Sequence, residues 1–273
     1  MLDLPHTFTF EGNAVRWGKM GRGSPLIAIH GTPLSSQVWR RIVPHLAPRH
    51  TVYFFDLLGY GQSEQREGQD VSLGIQNRLL SALVREWGVD RPHILAHDFG
   101  AATALRAHVI DGLRYASLTV FDAVALSPWG TPLVRHVRQH QAAFAGMPAY
   151  MHAAMLRAYL QTAAHETLTD TVLEIYAAPW TGPAGQSAFY RQIAQMDERY
   201  TAEIVPRLQA LDCPTRVLWG TDDAWLPPEQ GDKLAALISD RPCLRIPGAG
   251  HLVQEDRPEA IIAAMLGALT APL

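Results

Sequence analysis

Four short segments of the chain gather residue types that can move protons or form transient covalent bonds. They are His30-Gly31-Thr32-Pro33, Asp98-Phe99-Gly100-Ala101, Gly220-Thr221-Asp222-Asp223 with Pro227 following, and Pro247-Gly248-Ala249-Gly250-His251. Each comes directly after a short run rich in β-forming residues. In open α/β sheets ligands gather beyond the carboxyl ends of the strands, so these are the positions where chemistry is expected. A carboxylate can attack an electrophile or orient a base, and a histidine can take a proton near neutral pH. Taken singly, each residue has a simpler reading. Asp98 opens a helix, where aspartate is a good N-cap, and His251 is one of 12 histidines. Their shared placement at strand ends gives them weight.

The elements that would position these residues are legible as runs. Leu26 to His30, Val52 to Asp56, His93 to His97, Leu118 to Phe121, Arg216 to Trp219 and Leu244 to Ile246 read as strands. Amphipathic stretches between them give the alternation of a mostly parallel sheet with helices on both faces, an α/β fold. One such stretch carries Ile75, Leu79, Leu80, Leu83, Val84 and Trp87 at spacings of three and four, the apolar face of a helix. Thr7 to Trp17, broken by Glu11, Gly12 and Asn13, reads as an antiparallel hairpin at a sheet edge. From Ala123 to Val205 the alternation stops. Helix-like spacing (Met151, Met155, Leu156, Tyr159) and Pro/Gly breaks mark a helical insert between two parts of one sheet.

These segments, with Asp56 to Ser63 (DLLGYGQS), resemble the α/β-hydrolase superfamily over essentially the whole chain. The resemblance implies a core of residues 1–122 and 206–273 and a helical cap of residues 123–205. It implies the order nucleophile, acid, histidine, borne by Asp98, Asp223 and His251. Asp122, after the strand ending at Phe121, is an alternative acid, because some haloalkane dehalogenases carry theirs there. Esterases of this fold carry G-x-S-x-G, whereas this chain reads Ala96-His97-Asp98-Phe99-Gly100. A carboxylate attacking an ester would give an anhydride, so an aspartate suits an sp³ electrophile, which it converts to an alkyl ester. Water activated by His251 would then hydrolyse that ester, with Asp223 supporting the imidazolium. The backbone N–H groups of Thr32 and Phe99 would form the oxyanion hole.

Epoxides and alkyl halides are the two obvious substrates, and they need different leaving-group partners. In epoxide hydrolases two cap tyrosines protonate the alkoxide. Gly185-Gln186-Ser187-Ala188-Phe189-Tyr190-Arg191 is similar to a cap segment of that family with a Tyr-Arg pair, making Tyr190 the first candidate donor, Tyr150 the second and Tyr159 the reserve. Haloalkane dehalogenases usually have Trp after the nucleophile and often Asn in the first loop. Here those positions hold Phe99 and Thr32. The Arg that follows the nucleophile in fluoroacetate dehalogenases is also missing, and Trp129 or Trp180 would have to serve as the halide donor. Epoxide hydrolysis is therefore the favoured expectation and haloalkane or haloacid dehalogenation the runner-up. A noncatalytic ligand-binding member of the fold is a third possibility, disfavoured because binding alone needs neither nucleophile, acid nor histidine.

Composition sets outer limits. The 273 residues are 48% hydrophobic, enough for a substantial core without disulfides or metals. With 23 basic and 26 acidic residues there is no basic field to hold nucleic acid or an anionic membrane. Charged residues are 18% against a usual share of roughly 25%, pointing to an apolar pocket or surface. Ile261 to Leu273 reads as a terminal amphipathic helix, short of the roughly 18 residues a spanning helix needs. Asp3 and Pro5 do not suit a secretory signal, so a cytoplasmic protein is expected. Cys213 and Cys243 read as buried free thiols. Gly59 and Gly61 are not followed by a helix start and mark no nucleotide site. His30 and His97 read as groups that pin loop backbones. No metal or organic cofactor is implied, the expected partners are a small apolar substrate and water, and oligomeric state is left open.

Overall fold

The computed structural model describes residues 1–267. Among the described residues eight strands form one sheet: β1 (His6–Phe10), β2 (Asn13–Gly21), β3 (Ser24–Ile29), β4 (His50–Phe55), β5 (His93–His97), β6 (Ser117–Phe121), β7 (Thr215–Gly220) and β8 (Leu244–Ile246), in the order β1-β2-β4-β3-β5-β6-β7-β8. β1 and β2 form the expected antiparallel edge hairpin, with His6 opposite Trp17 and Phe10 opposite Asn13. β2 is antiparallel to β4, and every later pairing is parallel. The interior strands are covered on both faces, so they are continuous apolar runs: Leu26 to Ile29, Ile94 to Ala96 and Val217 to Trp219 are all buried.

The helices complete the layers. α1 (Val43–Leu46) follows β3, α2 (Leu73–Glu86) joins β4 to β5, and α3 (Phe99–Val109) joins β5 to β6. Between β6 and β7 come α4 (Pro132–Gln139), α5 (Gln141–Ala145), α6 (Ala149–Gln161), α7 (Asp170–Ala177), α8 (Gly182–Ala194) and α9 (Arg199–Ala202), with no strand among them. α10 (Glu229–Ile238) joins β7 to β8, and α11 (Val253–Asp256) and α12 (Pro258–Met265) follow. The expected terminal helix thus ends at Met265, and residues 268–273 lie outside the described residues. Among the described residues no helix is long and apolar enough to cross a membrane. Cys213 and Cys243 are free and half-buried, not fully buried as expected. They stand before the neighbouring strands β7 and β8.

α3 is the most enclosed helix, with all eleven residues buried. Its small residues, Gly100, Ala101, Ala102 and Ala104, let it lie close on the sheet. A Cβ added to Gly100 would stand 2.3 Å from the Ile29 carbonyl oxygen and 2.6 Å from that of His30. The close approach brings the first turn of α3 against the end of β3, where Thr32 lies.

The segment between β6 and β7 is tied to the strand-end loops by polar anchors. Trp180 Nε1 donates to the Pro33 carbonyl at 2.6 Å. Arg40 makes a two-pronged ion pair with Glu255, at 2.6 and 2.9 Å, and also donates to the Tyr176 hydroxyl. The Asp256 carboxylate accepts N–H groups from Gly250, His165 and Glu166 at 2.8, 2.9 and 2.9 Å, joining the loop before α11 to the loop after α6. Gly100→Ala is expected to destabilise the fold by about 2–3 kcal/mol, a drop of about 5–10 °C in Tm for a chain of this size, because the backbone itself must move. Calorimetry or thermal circular dichroism reads this, and an unchanged Tm would contradict so tight a contact.

Candidate active site

The sheet register brings the strand ends level. Ile29 pairs with Ala96, His97 with Phe121, and Phe121 with Leu218, so the residues that follow them face one another across β3, β5, β6 and β7. Asp98 turns the chain sharply from β5 into α3 with φ 51 and ψ −116. A residue with a Cβ takes this left-handed backbone at a cost, and such cost concentrates at functional sites. Close neighbours hold it there. A Cβ on Gly31 would stand 2.5 Å from the Asp98 Cβ, so the β3 loop can pass only as glycine.

Asp98, His251 and Asp223 are all buried and form one chain of contacts. Asp98 Oδ1 accepts the Thr32 backbone N–H at 2.8 Å, while its Oδ2 lies 3.5 Å from His251 Nε2. His251 Nδ1 is 2.9 Å from Asp223 Oδ2. Asp223 Oδ1 accepts the N–H groups of Trp225 and Leu226 at 2.8 and 2.9 Å, which fixes the carboxylate. His97 Nε2 contacts the His251 carbonyl at 2.9 Å and its ring stacks on Phe121. Phe99, as the first residue of α3, has an N–H without an intrahelical acceptor.

The charge state follows from these contacts. Burial would lower the His251 pKa, but the Asp223 carboxylate, the hydrogen bond to it and Asp98 together raise it well above its usual value. Burial would raise Asp98, but His251, His97 and the Thr32 amide bring it below the ordinary carboxylate range. His97 is pushed down to about 3 by burial and by His251, so it is neutral. These directions favour a charged His251 beside a charged Asp98.

Asp122 ends β6 with φ 43 and is fully buried. The structure gives Asp223, not Asp122, the hydrogen bond to His251 Nδ1. Asp122 Oδ1 instead accepts the Gly220 N–H at 3.0 Å, at the root of the loop bearing Asp223. Burial and the Asp223 charge raise its pKa well above the usual value, which favours its protonated form. Ligand atoms of Asp122, Asp223 and His251 lie within 4.8 Å of one another. Asp223 Oδ2 is already spent on His251 Nδ1 and Asp122 Oδ1 on the Gly220 amide, so the set is engaged within the protein and does not present free ligands to a cation.

Other expected residues land elsewhere. Tyr190 is buried in the helical segment with its hydroxyl 2.8 Å from His152 Nδ1, and it does not line the cavity at Asp98. Tyr150 is 75% exposed. Neither can reach a leaving group, and both expectations are corrected. Trp129 Nε1 donates to Thr201 Oγ1 and Trp180 Nε1 to the Pro33 carbonyl, so neither indole is free for a halide. His30 bridges two loop backbones, bonded to the Gly31 carbonyl through Nδ1 and accepting the Leu57 N–H at Nε2. The Asp56 carboxylate accepts the Ser36 and Gln62 N–H groups, both at 2.7 Å, which accounts for DLLGYGQS as a loop brace.

A cavity opens at the strand ends between β5, β7 and the helical segment. Thr32, Asp98, Phe99 and His251 form its floor, and Trp129, Val134, Tyr159, Gln192, Met196 and Trp225 are among its walls. Apart from Asp98 and His251 it carries no charged side chain. Tyr159 stacks on Trp225 with ring centroids 4.4 Å apart, and Trp225 lies over His251 at 5.0 Å. Gln192 Oε1 accepts the Thr32 and Tyr60 hydroxyls at 2.8 and 3.0 Å. Gln192 and Tyr60 escaped the sequence reading: Gln192 is a neutral polar residue in a helix, and Tyr60 lies in the loop brace. A larger, more open groove lies at the opposite ends of the strands, lined by His93, Ser117 and Thr215, far from this chemistry.

Three comparisons bear on this architecture. A solved α/β-hydrolase fold protein from Burkholderia ambifaria superposes with a TM-score of 0.96 at 56% identity, covering 98% of both chains. Haloalkane dehalogenase 2 of Mycobacterium tuberculosis is 25% identical over 260 residues, 90% of this chain and 88% of the relative. The soluble epoxide hydrolase of a Corynebacterium is 33% identical over 103 residues, 36% of this chain and 34% of the relative. Residues 24–258 match the α/β-hydrolase fold family, spanning every strand that bears a site residue, and the chain belongs to that family.

Proposed function

We propose that this hydrolase opens a small, neutral, apolar sp³ electrophile through an ester on Asp98, and that the substrate is an epoxide. The observation that carries the reading is the Asp98 carboxylate itself, buried beneath an apolar cavity with Oδ1 on the Thr32 amide and Oδ2 toward His251. Oδ2 attacks, and Oδ1 stays in the Thr32 and Phe99 oxyanion hole as the ester carbonyl oxygen. Residues 123–205 act as a cap that excludes water from the reacting carbon. The uncharged walls argue against a haloacid, whose carboxylate would need a cation.

In this reading Tyr159 is the acid for ring opening. It lines the cavity, its hydroxyl lies 3.4 Å from Thr131 Oγ1, and burial raises its pKa, which keeps its proton in place until an alkoxide forms. Alkylation removes the Asp98 charge that helped hold the imidazolium, so His251 becomes the stronger acid and returns a proton to the Tyr159 phenolate through solvent. Neutral His251 then deprotonates water for attack on the ester carbonyl, and the expelled alkoxide takes that proton back. The Asp98 carboxylic acid left behind returns its proton to His251. A second reading, halide release, is favoured by the coverage of the dehalogenase relative, 90% of this chain. Styrene oxide and a bromoalkane, followed for diol and halide, separate the two, and no product over a broad panel of either class would overturn both.

Single turnover with excess enzyme in heavy-oxygen water is expected to put label into the peptide containing Asp98, and label in the product alone would rule out the ester route. His251→Gln is expected to form the ester and stall, so an adduct mass accumulates on Asp98. Asp223→Asn should slow turnover by about 10²-fold or more, because the imidazolium loses its partner. Asp122→Asn, which keeps an oxygen for the Gly220 amide, should stay within about threefold. His251 in the resting enzyme should titrate above its usual value of about 6.5 by NMR. With a substrate whose ester accumulates, the acid limb of kcat should lie at lower pH than that titration, since esterified Asp98 no longer raises His251. Coincidence of the two would argue against loss of the Asp98 charge during turnover.

A further inference from the structure

We infer that Gln192 is a catalytic hydrogen-bond donor to the leaving atom, aimed by Thr32 and Tyr60. This rests on the aspartyl-ester reading above and adds the group that meets the departing charge. Gln192 is 2% exposed and lines the cavity together with Asp98 and His251. Its Oε1 is saturated by the Thr32 hydroxyl at 2.8 Å and the Tyr60 hydroxyl at 3.0 Å. Its Nε2 is buried with no acceptor among the described residues. Native proteins leave few buried donors unpartnered, so such a group at the reacting end of a cavity points to an acceptor brought by the substrate. The direction of the amide is fixed chemically. Turned over, its N–H groups would meet both hydroxyls, which lie 3.4 Å apart and could then satisfy only one of their two protons on each other, leaving the second without an acceptor.

Thr32 thereby serves two sides of the reaction. Its backbone N–H holds Asp98 Oδ1 and its hydroxyl holds Gln192 Oε1, so nucleophile and leaving-atom donor are indexed to one residue. As Asp98 Oδ2 bonds to carbon, the bond from carbon to the leaving atom breaks and its electron pair departs with that atom. An amide is too weak an acid to transfer a proton, so Gln192 stabilises the charge without neutralising it. That suffices for a halide. For an epoxide oxygen it complements the Tyr159 proton.

Adduct growth on Asp98 in the His251→Gln background isolates this step. Mass spectrometry follows it after mixing with styrene oxide or with 1-bromobutane. Adding Gln192→Met or Gln192→Glu is expected to slow the saturating rate by about 10²-fold, with little change in the concentration giving half that rate. Gln192→Glu keeps an oxygen for Thr32 and Tyr60 but offers no N–H, and its Tm should stay within a few degrees of the parent. In the epoxide arm Tyr159→Phe slows the reaction further, whereas in the bromide arm it has no effect. Unchanged adduct growth in both Gln192 variants would overturn the role of Gln192 and leave the ester route standing. An absence of adduct in the parent His251→Gln enzyme would overturn the ester route and this role with it.

Discussion

Burying two carboxylates and an imidazolium side by side in apolar surroundings is the constraint on which the site depends. Isolated ions in such a place are prohibitively costly, and they persist only when paired and hydrogen-bonded. Here the alternation of charge along Asp98, His251 and Asp223 supplies the pairing, and backbone N–H groups of Thr32, Trp225 and Leu226 supply the rest. A fourth ionisable group, Asp122, has its pKa raised by burial and by the Asp223 charge, which favours its uncharged form, and it spends one oxygen on the Gly220 amide. The strained backbone at Asp98, the glycine at 31 and the close seat of α3 are consequences of bringing those donors to one point.

The same arrangement gives the proposed two-step reaction its order. While Asp98 is charged, the imidazolium is held and His251 cannot act as a base. Once Asp98 is esterified, the part of that support that Asp98 supplied disappears. The chemistry of the first step thus prepares the base for the second, with no movement of residues required.

Much of this was legible in the sequence because parallel strands announce themselves as apolar runs and because the residues after them are forced to one edge of the sheet. His93 to His97 and Leu244 to Ile246 were read to the residue, and the other runs to within two. The boundaries placed candidate residues at the strand ends, and the resemblance to the α/β-hydrolases singled out Asp98, Asp223 and His251 among them. The helical segment was not legible in the same way, because there side-chain direction depends on helix phase and on packing between helices. Tyr190 and Gln192 are two positions apart on α8, about 200° around the axis, so a motif matched at Tyr190 selected the wrong face. Tyr150 and Tyr159 are nine positions apart on α6, again about half a turn out of phase, which leaves one in solvent and the other at the cavity. The spent indoles of Trp129 and Trp180 depend on partners distant in sequence, Thr201 and Pro33, that no local pattern reveals.

Asp256 has a bearing on how interchangeable such helical segments are. Its carboxylate belongs to the sheet-side chain after β8, yet two of its three amide partners, His165 and Glu166, belong to the segment between β6 and β7. Leu252 is also bonded across this seam, to the Ala163 carbonyl at 2.8 Å. Transplanting residues 123–205 from another enzyme of the fold would therefore sever a junction whose other half carries His251. The modular unit in this chain is larger than the segment itself. It extends to residues 250–256, and grafts that ignore them would import a new cavity wall while loosening the base beneath it.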